Sequence, residues 1–160
     1  MQKNKEYIDY LKNFGYMKNI DRKDRVKETQ EVFTPINACL DLVEYTMQFN
    51  DNMLTETVFD NTMGDGEWLG AVLIKRLESG IDLEEALKNL KGSDLQNDNV
   101  VRAKERLSCG RNDLTDILDK NLCVADATKF HYRFDGSHPY DDEVKEQERQ
   151  QHLEKLFEGL

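Results

Sequence analysis

The sequence predicts an α/β fold with a reduced, mainly parallel sheet, preceded by N-terminal helices. Two observations carry that prediction. From residue 57 onward, short β-prone runs alternate with apolar residues at helical spacing, a pattern that implies parallel strands joined by helices. The first strand, Thr57-Val58-Phe59-Asp60, runs into a turn holding Gly64 and Gly66, and then into Trp68, Leu69, Val72, Leu73 and Leu77 on one helical stripe. Strand, Gly-rich turn and helix open a nucleotide-type crevice, because glycine takes positive φ and lets backbone pass close to a ligand.

At 160 residues, 38% hydrophobic and 34% charged, the chain reads as a single globular domain. Its net charge of -10 argues against a broad grip on nucleic acid, which is driven by Lys and Arg. The charge is uneven: residues 1–30 hold eight Lys/Arg against five Asp/Glu, and residues 141–160 hold seven acids against three bases. A basic arm on an acidic body leaves contact with DNA open, beside the plainer reading of a solvated helix face. Cys39, Cys109 and Cys123 stand at unrelated spacings, so no metal is expected and the thiols read as reduced. No stretch approaches a membrane span and no cleavable leader is read ahead of the first helix, so a cytoplasmic location is expected.

Residues 4–18 place Tyr7, Ile8, Leu11, Phe14 and Met17 at helical spacing, an amphipathic helix that needs a surface to pack on. Glu31-Val32-Phe33-Thr34-Pro35 then precedes Ile36, Cys39, Leu40, Val43 and Met47 at the same spacing. Thr34 is expected to cap this helix, with Pro35 in its first turn, where the missing N–H costs nothing. Ile81 to Leu90 reads as a short helix capped by Asp82. Leu90 to Leu95 is a second strand closing on Asp94, followed by a helix carrying Val100, Val101, Ala103 and Leu107. After a helical stretch at 112–118, Leu122 to Ala127 is a third strand ending at Asp126. Asp94 is placed to take ribose hydroxyls, and three acids at successive strand ends point to one shared ligand. His131 to Phe134 opens a fourth strand cut short by Gly136-Ser137-His138-Pro139-Tyr140. Residues 142–157 read as a charged helix with a thin apolar stripe of Val144, Leu153, Leu156 and Phe157.

From Thr29 to Phe134, the order and spacing of these residues resemble the S-adenosylmethionine-dependent N6-adenine DNA methyltransferases of restriction–modification type. Phe33-Thr34-Pro35 looks like the family's upstream Phe/Tyr-Thr-Pro motif, beside the methionine end of the cofactor. Asp60 to Gly66 is similar to its Asp-Pro-x-x-Gly-x-Gly loop, with Asn61 in place of the proline. Gly92-Ser93-Asp94-Leu95 resembles the second-strand motif whose acid holds the ribose, and Ala125-Asp126-Ala127 the third-strand motif whose acid takes the cofactor's adenine amine. The resemblance implies a Rossmann-like methyltransferase fold and a cofactor site of Phe33, Thr34, Pro35, Asp60, Thr62, Gly64, Gly66, Asp94, Leu95, Asp126 and Ala127. It divides the chain into an N-terminal helical arm (1–28), a cofactor-binding domain (29–140) and an acidic C-terminal helix (141–160).

The chain also departs from the family. Catalysis there rests on Asn/Asp-Pro-Pro-Tyr/Phe after a fourth strand, where the polar group orients the target amine and the aromatic stacks on the flipped base. The candidate here is Ser137-His138-Pro139-Tyr140, in which Pro139 and Tyr140 fit, Ser137 replaces the amide or carboxylate, and His138 replaces the first proline. The expected protein is therefore methyltransferase-like and incomplete as a stand-alone catalyst. The alternative is a non-catalytic module that binds or regulates another protein. Two partners stay open: DNA, and a protein or second copy engaged through the sheet edge and the C-terminal helix.

Overall fold

A computed structural model describes residues 2–15 and 34–129, which form a mixed α/β structure with six α-helices and three strands. In chain order these are α1 (Gln2–Asn13), α2 (Ile36–Met47), β1 (Val58–Asp60), α3 (Glu67–Glu78), α4 (Leu83–Lys88), β2 (Leu90–Asp94), α5 (Asn97–Ser108), α6 (Thr115–Asn121) and β3 (Leu122–Val124). The strands form one parallel sheet in the order β1-β2-β3, with Val58 opposite Leu90 and Gly92 opposite Leu122. Parallel neighbours cannot be joined by a tight hairpin. Accordingly α3 and α4 connect β1 to β2, and α5 and α6 connect β2 to β3. All three strands thus present their carboxyl ends at one end of the sheet.

The core gathers around α3. Leu69, Ala71, Val72, Leu73, Ile74 and Leu77 are all buried, because α1, α2 and α5 surround this helix and the sheet covers part of it. The one-sided stripe expected from the sequence therefore becomes burial on most of the helix. On α5, Val100, Ala103 and Leu107 face the core as expected, whereas Val101 is exposed. Arg76 of α3 is also buried, and it donates through Nε and Nη2 to the carbonyl of Met53 and through Nη1 to that of Ala86, at 2.7–3.1 Å. These bonds satisfy a charge that burial would otherwise penalise.

Several boundaries differ from the sequence expectation. Helix α1 ends at Asn13 rather than at residue 18, and Phe14 leaves the helix to lie over Arg102 and Arg106 of α5. Asn4 fastens the other end of α1, donating to the carbonyls of Leu77 and Ile81 at 3.0 and 2.9 Å. Thr34 does not cap α2. Pro35 holds the cap position itself in extended geometry, with φ -61 and ψ 146, and no side chain caps the helix. The proline's fixed φ and missing N–H place it one residue ahead of the helix proper, with its carbonyl accepting from Cys39 N at 3.1 Å. Asp82 does cap α4, its Oδ1 accepting from Glu85 N at 3.3 Å, though the helix stops at Lys88 because Leu90 begins β2. The third strand stops at Val124, two residues before Asp126. The expected fourth strand and C-terminal helix lie outside the described residues, as do Phe33, Ser137, Pro139 and Tyr140.

Candidate functional site

A crevice of about 280 Å³ opens at the carboxyl end of the sheet, lined by Asn61, Thr62, Asp94, Leu95, Gln96, Ala125, Asp126, Ala127 and Thr128. Three connections meet there: the turn after β1, the β2–α5 junction and the chain leaving β3. Of the residues singled out in the sequence, Thr62, Asp94, Leu95, Asp126 and Ala127 line it. The volume lies just below the range usual for small-molecule sites, roughly 300–1,000 Å³.

Asp94 organises the crevice. Its Oδ2 accepts from Gly64 N at 2.9 Å, and its Oδ1 accepts from Gln96 N at 2.9 Å and from Asn99 Nδ2 at 3.0 Å. A carboxylate offers about four acceptor sites, so one remains for a donor in the crevice. The Gly-rich turn is fastened to β2 at further points: Met63 N donates to Ser93 O at 3.0 Å, and Ser93 Oγ donates to Asn61 O at 3.2 Å. Asp126 also lines the crevice. Its Oδ1 accepts from Thr128 N and Thr128 Oγ1 at 2.9 and 2.6 Å, and Lys129 Nζ lies 3.9 Å from its Oδ2. Leu95, exposed at 57%, adds an apolar side chain to the crevice lining.

The remaining predicted residues take other positions. Asp60 folds onto its own turn, its Oδ1 accepting from Thr62 N at 3.1 Å. Burial raises its pKa, the Thr62 amide opposes that rise, and the nearby charge of Asp94 adds to it. Both predicted glycines take positive φ, Gly64 at 55° and Gly66 at 80°. Gly64 turns its N–H to Asp94, whereas a Cβ on Gly66 would stand 3.0 Å from the Cβ of Ala103. The second glycine therefore permits the close approach of α5. Gly92 has a related role, since a Cβ there would lie 2.4 Å from Met63 Sδ and 2.8 Å from Leu69 Cδ1. Thr34 and Pro35 are exposed at the start of α2, outside the crevice lining.

Sequence reasoning missed the cluster behind the turn. Arg106 of α5 donates from Nε to the Asp65 carbonyl at 2.9 Å, and from Nη2 to Asp65 Oδ2 and Glu67 Oε1 at 2.8 and 3.0 Å. All three side chains are buried, and Asp65 Oδ1, Glu67 Oε2 and Arg106 Nη1 find no hydrogen-bond partner among the described residues. Burial pushes the Glu67 carboxyl up to about 7, against the pull of Arg106. The positive end of α3 favours the carboxylate by only ~0.3–1 kcal/mol. An unsatisfied buried charged oxygen costs more than ~1–3 kcal/mol. The only hint in the sequence was two acids bracketing Gly66; Arg106 lies far along the chain.

Among the described residues, no group of three or more His, Cys, Asp or Glu side chains is placed to hold a metal, and no helix is long and apolar enough to cross a membrane. Compared with known proteins, the chain matches no family model, no curated protein and no solved structure.

Proposed function

We propose that the crevice at the carboxyl end of the sheet binds the nucleoside half of S-adenosylmethionine, in a Rossmann-like, methyltransferase-related protein. The observation that carries this reading is that Asp94, Asp126 and the apolar Leu95 line one crevice. Asp94 keeps an acceptor site for a ribose hydroxyl while its other sites hold Gly64, Gln96 and Asn99 in place. Asp126 offers a carboxylate to an exocyclic amine, and Leu95 with Ala127 forms the apolar surface a purine needs. When bound, the cofactor would supply a methyl group activated by its sulfonium. The described residues hold and orient, and the acceptor, adenine in DNA by the sequence resemblance, is part of the same proposal.

Equilibrium titration with S-adenosylhomocysteine tests the binding step. The wild type is expected to bind, and Asp126→Ala is expected to weaken binding by at least about tenfold, equivalent to ~1.4 kcal/mol. Unchanged affinity in a folded Asp126→Ala protein would remove the adenine assignment.

A second reading, a non-catalytic module that binds another protein, draws on one observation. Leu42 and Tyr45 of α2 and Phe49 in the turn after it are exposed at 53%, 59% and 74%, with the Tyr45 and Phe49 rings packed edge to face at 5.2 Å. Exposed apolar groups gathered this way are characteristic of contact surfaces. A strictly monomeric protein that recovers no partner from its host would count against this reading.

A further inference from the structure

A Gly-rich turn between a strand and a helix ordinarily cradles a phosphate on free backbone N–H groups. The turn between β1 and α3 has committed its own. Thr62 N donates to Asp60 Oδ1 at 3.1 Å, Met63 N to Ser93 O at 3.0 Å, Gly64 N to Asp94 Oδ2 at 2.9 Å and Gly66 N to Met63 O at 2.9 Å. The N-terminus of α3, the other place for an anion, is filled from within the chain. Asp65, Gly66 and Glu67 are all buried and none of them lines the crevice. Arg106 Nη2 lies 2.8 Å from Asp65 Oδ2 and 3.0 Å from Glu67 Oε1, and Arg102 stands 4.0 Å from Asp65 Oδ2. Two arginines there balance two carboxylates. At the start of α5 the amide of Gln96 is held by Asp94 Oδ1 at 2.9 Å, and Asp98 occupies the first turn. The crevice lining carries two carboxylates, Asp94 and Asp126, and no Lys, Arg or His among the described residues. Lys129, next in the chain after the lining, lies 3.9 Å from Asp126 Oδ2.

Resting on the nucleoside reading above, we propose that the crevice selects nucleosides without a phosphate and rejects nucleotides. A phosphate needs donors, and the turn amides that would supply them already serve the chain's own acceptors. Freeing Gly64 N for a phosphate would strip a partner from Asp94, the acid assigned to the ribose, so one amide cannot serve both. A phosphate would also bring its charge among carboxylates, and like charges at a partly buried surface repel more strongly than in open solution. A ligand that is neutral or positive beyond its ribose meets neither penalty, and a sulfonium is of that kind. The same strand, Gly-rich turn and helix that hold a phosphate elsewhere are here closed to it, because the chain's own acids stand where the anion would be.

Calorimetric titration of the full chain with S-adenosylhomocysteine, adenosine and adenosine 5′-monophosphate tests the selection, directly and by competition. It is run without divalent cations, which would mask the phosphate charge, at about 50 mM and about 500 mM salt. S-adenosylhomocysteine and adenosine should bind. The monophosphate should bind at least about tenfold more weakly than adenosine at the lower salt, equivalent to ~1.4 kcal/mol. The gap should narrow at the higher salt, because screening weakens repulsion between like charges. A monophosphate that binds as tightly as adenosine would overturn the selection and leave the nucleoside reading standing. A gap that salt does not change would overturn it too, since the rejection would then be steric. Binding of S-adenosylhomocysteine with which millimolar adenosine does not compete would overturn it as well, because recognition would not lie on the nucleoside. No saturable binding of either phosphate-free ligand would remove the nucleoside reading, and the selection with it.

Discussion

The amide of Gly64 donates to Asp94 Oδ2 at 2.9 Å, so the turn after the first strand is fixed by the acid that ends the second. The opposite oxygen, Oδ1, is held by the amide of Gln96. Neither backbone donor can turn away. An asparagine at position 94 would thus set its NH2 against an N–H in either orientation. Asp94→Asn should lower stability by about 1–3 kcal/mol and loosen the turn, as read by urea unfolding. A variant as stable as the wild type would show that the turn is held elsewhere.

Gly92 and Met63 make a second such link. A methyl at position 92 would meet Met63 Sδ at 2.4 Å, Leu69 Cδ1 at 2.8 Å and Leu122 Cδ2 at 3.3 Å. Gly92→Ala is expected to cost about 1–3 kcal/mol by overpacking. Combining it with Met63→Ala, which vacates the nearest atom, should cost clearly less than the sum of the two single changes. Strict additivity in a double-mutant cycle would contradict the contact.

Gly66 and Gly80 both take positive φ, 80° and 95°, but only Gly66 has a neighbour where its Cβ would stand. Gly80→Ala should therefore show the conformational strain alone, about 1–2 kcal/mol. Gly66→Ala should add the clash with Ala103, and its thermal midpoint should lie several degrees below that of Gly80→Ala. Equal midpoints would mean that α5 moves aside without cost.

The parts of this fold that were legible in the sequence depend on neighbours along the chain. The turn at 61–66, the cap at Asp82 and the strand-ending acids Asp60 and Asp94 follow from residue spacing and local backbone chemistry. The parts that were not legible depend on contacts between distant segments. Arg106 reaches Asp65 across 41 residues, and no periodicity announces a buried arginine on a helix face. Nothing in the sequence near Gly66 announces that Ala103 lies where its Cβ would stand. Phe14 fits the helical stripe of α1 but breaks from the helix, because two guanidinium groups offer its ring a better surface. The crevice itself was legible through Asp94, Leu95 and Asp126. Gln96 and Asn99, which orient Asp94, were not, because their side chains and amides carry no signal until the β2–α5 corner is built.

The thiols give a prediction at alkaline pH. Burial pushes the Cys39 thiol up to about 11 and the Cys109 thiol up to about 12, from an ordinary 9.0. Their contribution to stability is fully present below about pH 9 and is lost as pH rises toward those values. Both thiols should resist alkylation at about pH 8 in the native protein and react promptly in denaturant. Fast labelling of either one without unfolding would contradict its burial.

The central claim is that Asp94 and Asp126 frame a nucleoside site. Calorimetric titration of the wild type with S-adenosylhomocysteine, run beside Asp126→Ala, tests it most directly. The account predicts saturable wild-type binding in the micromolar range, equivalent to roughly -8 kcal/mol, and a loss of at least about tenfold in the variant. An absence of saturable heat with the folded wild type at millimolar ligand would contradict it, and would leave the strand-end acids as braces for the Gly-rich turn.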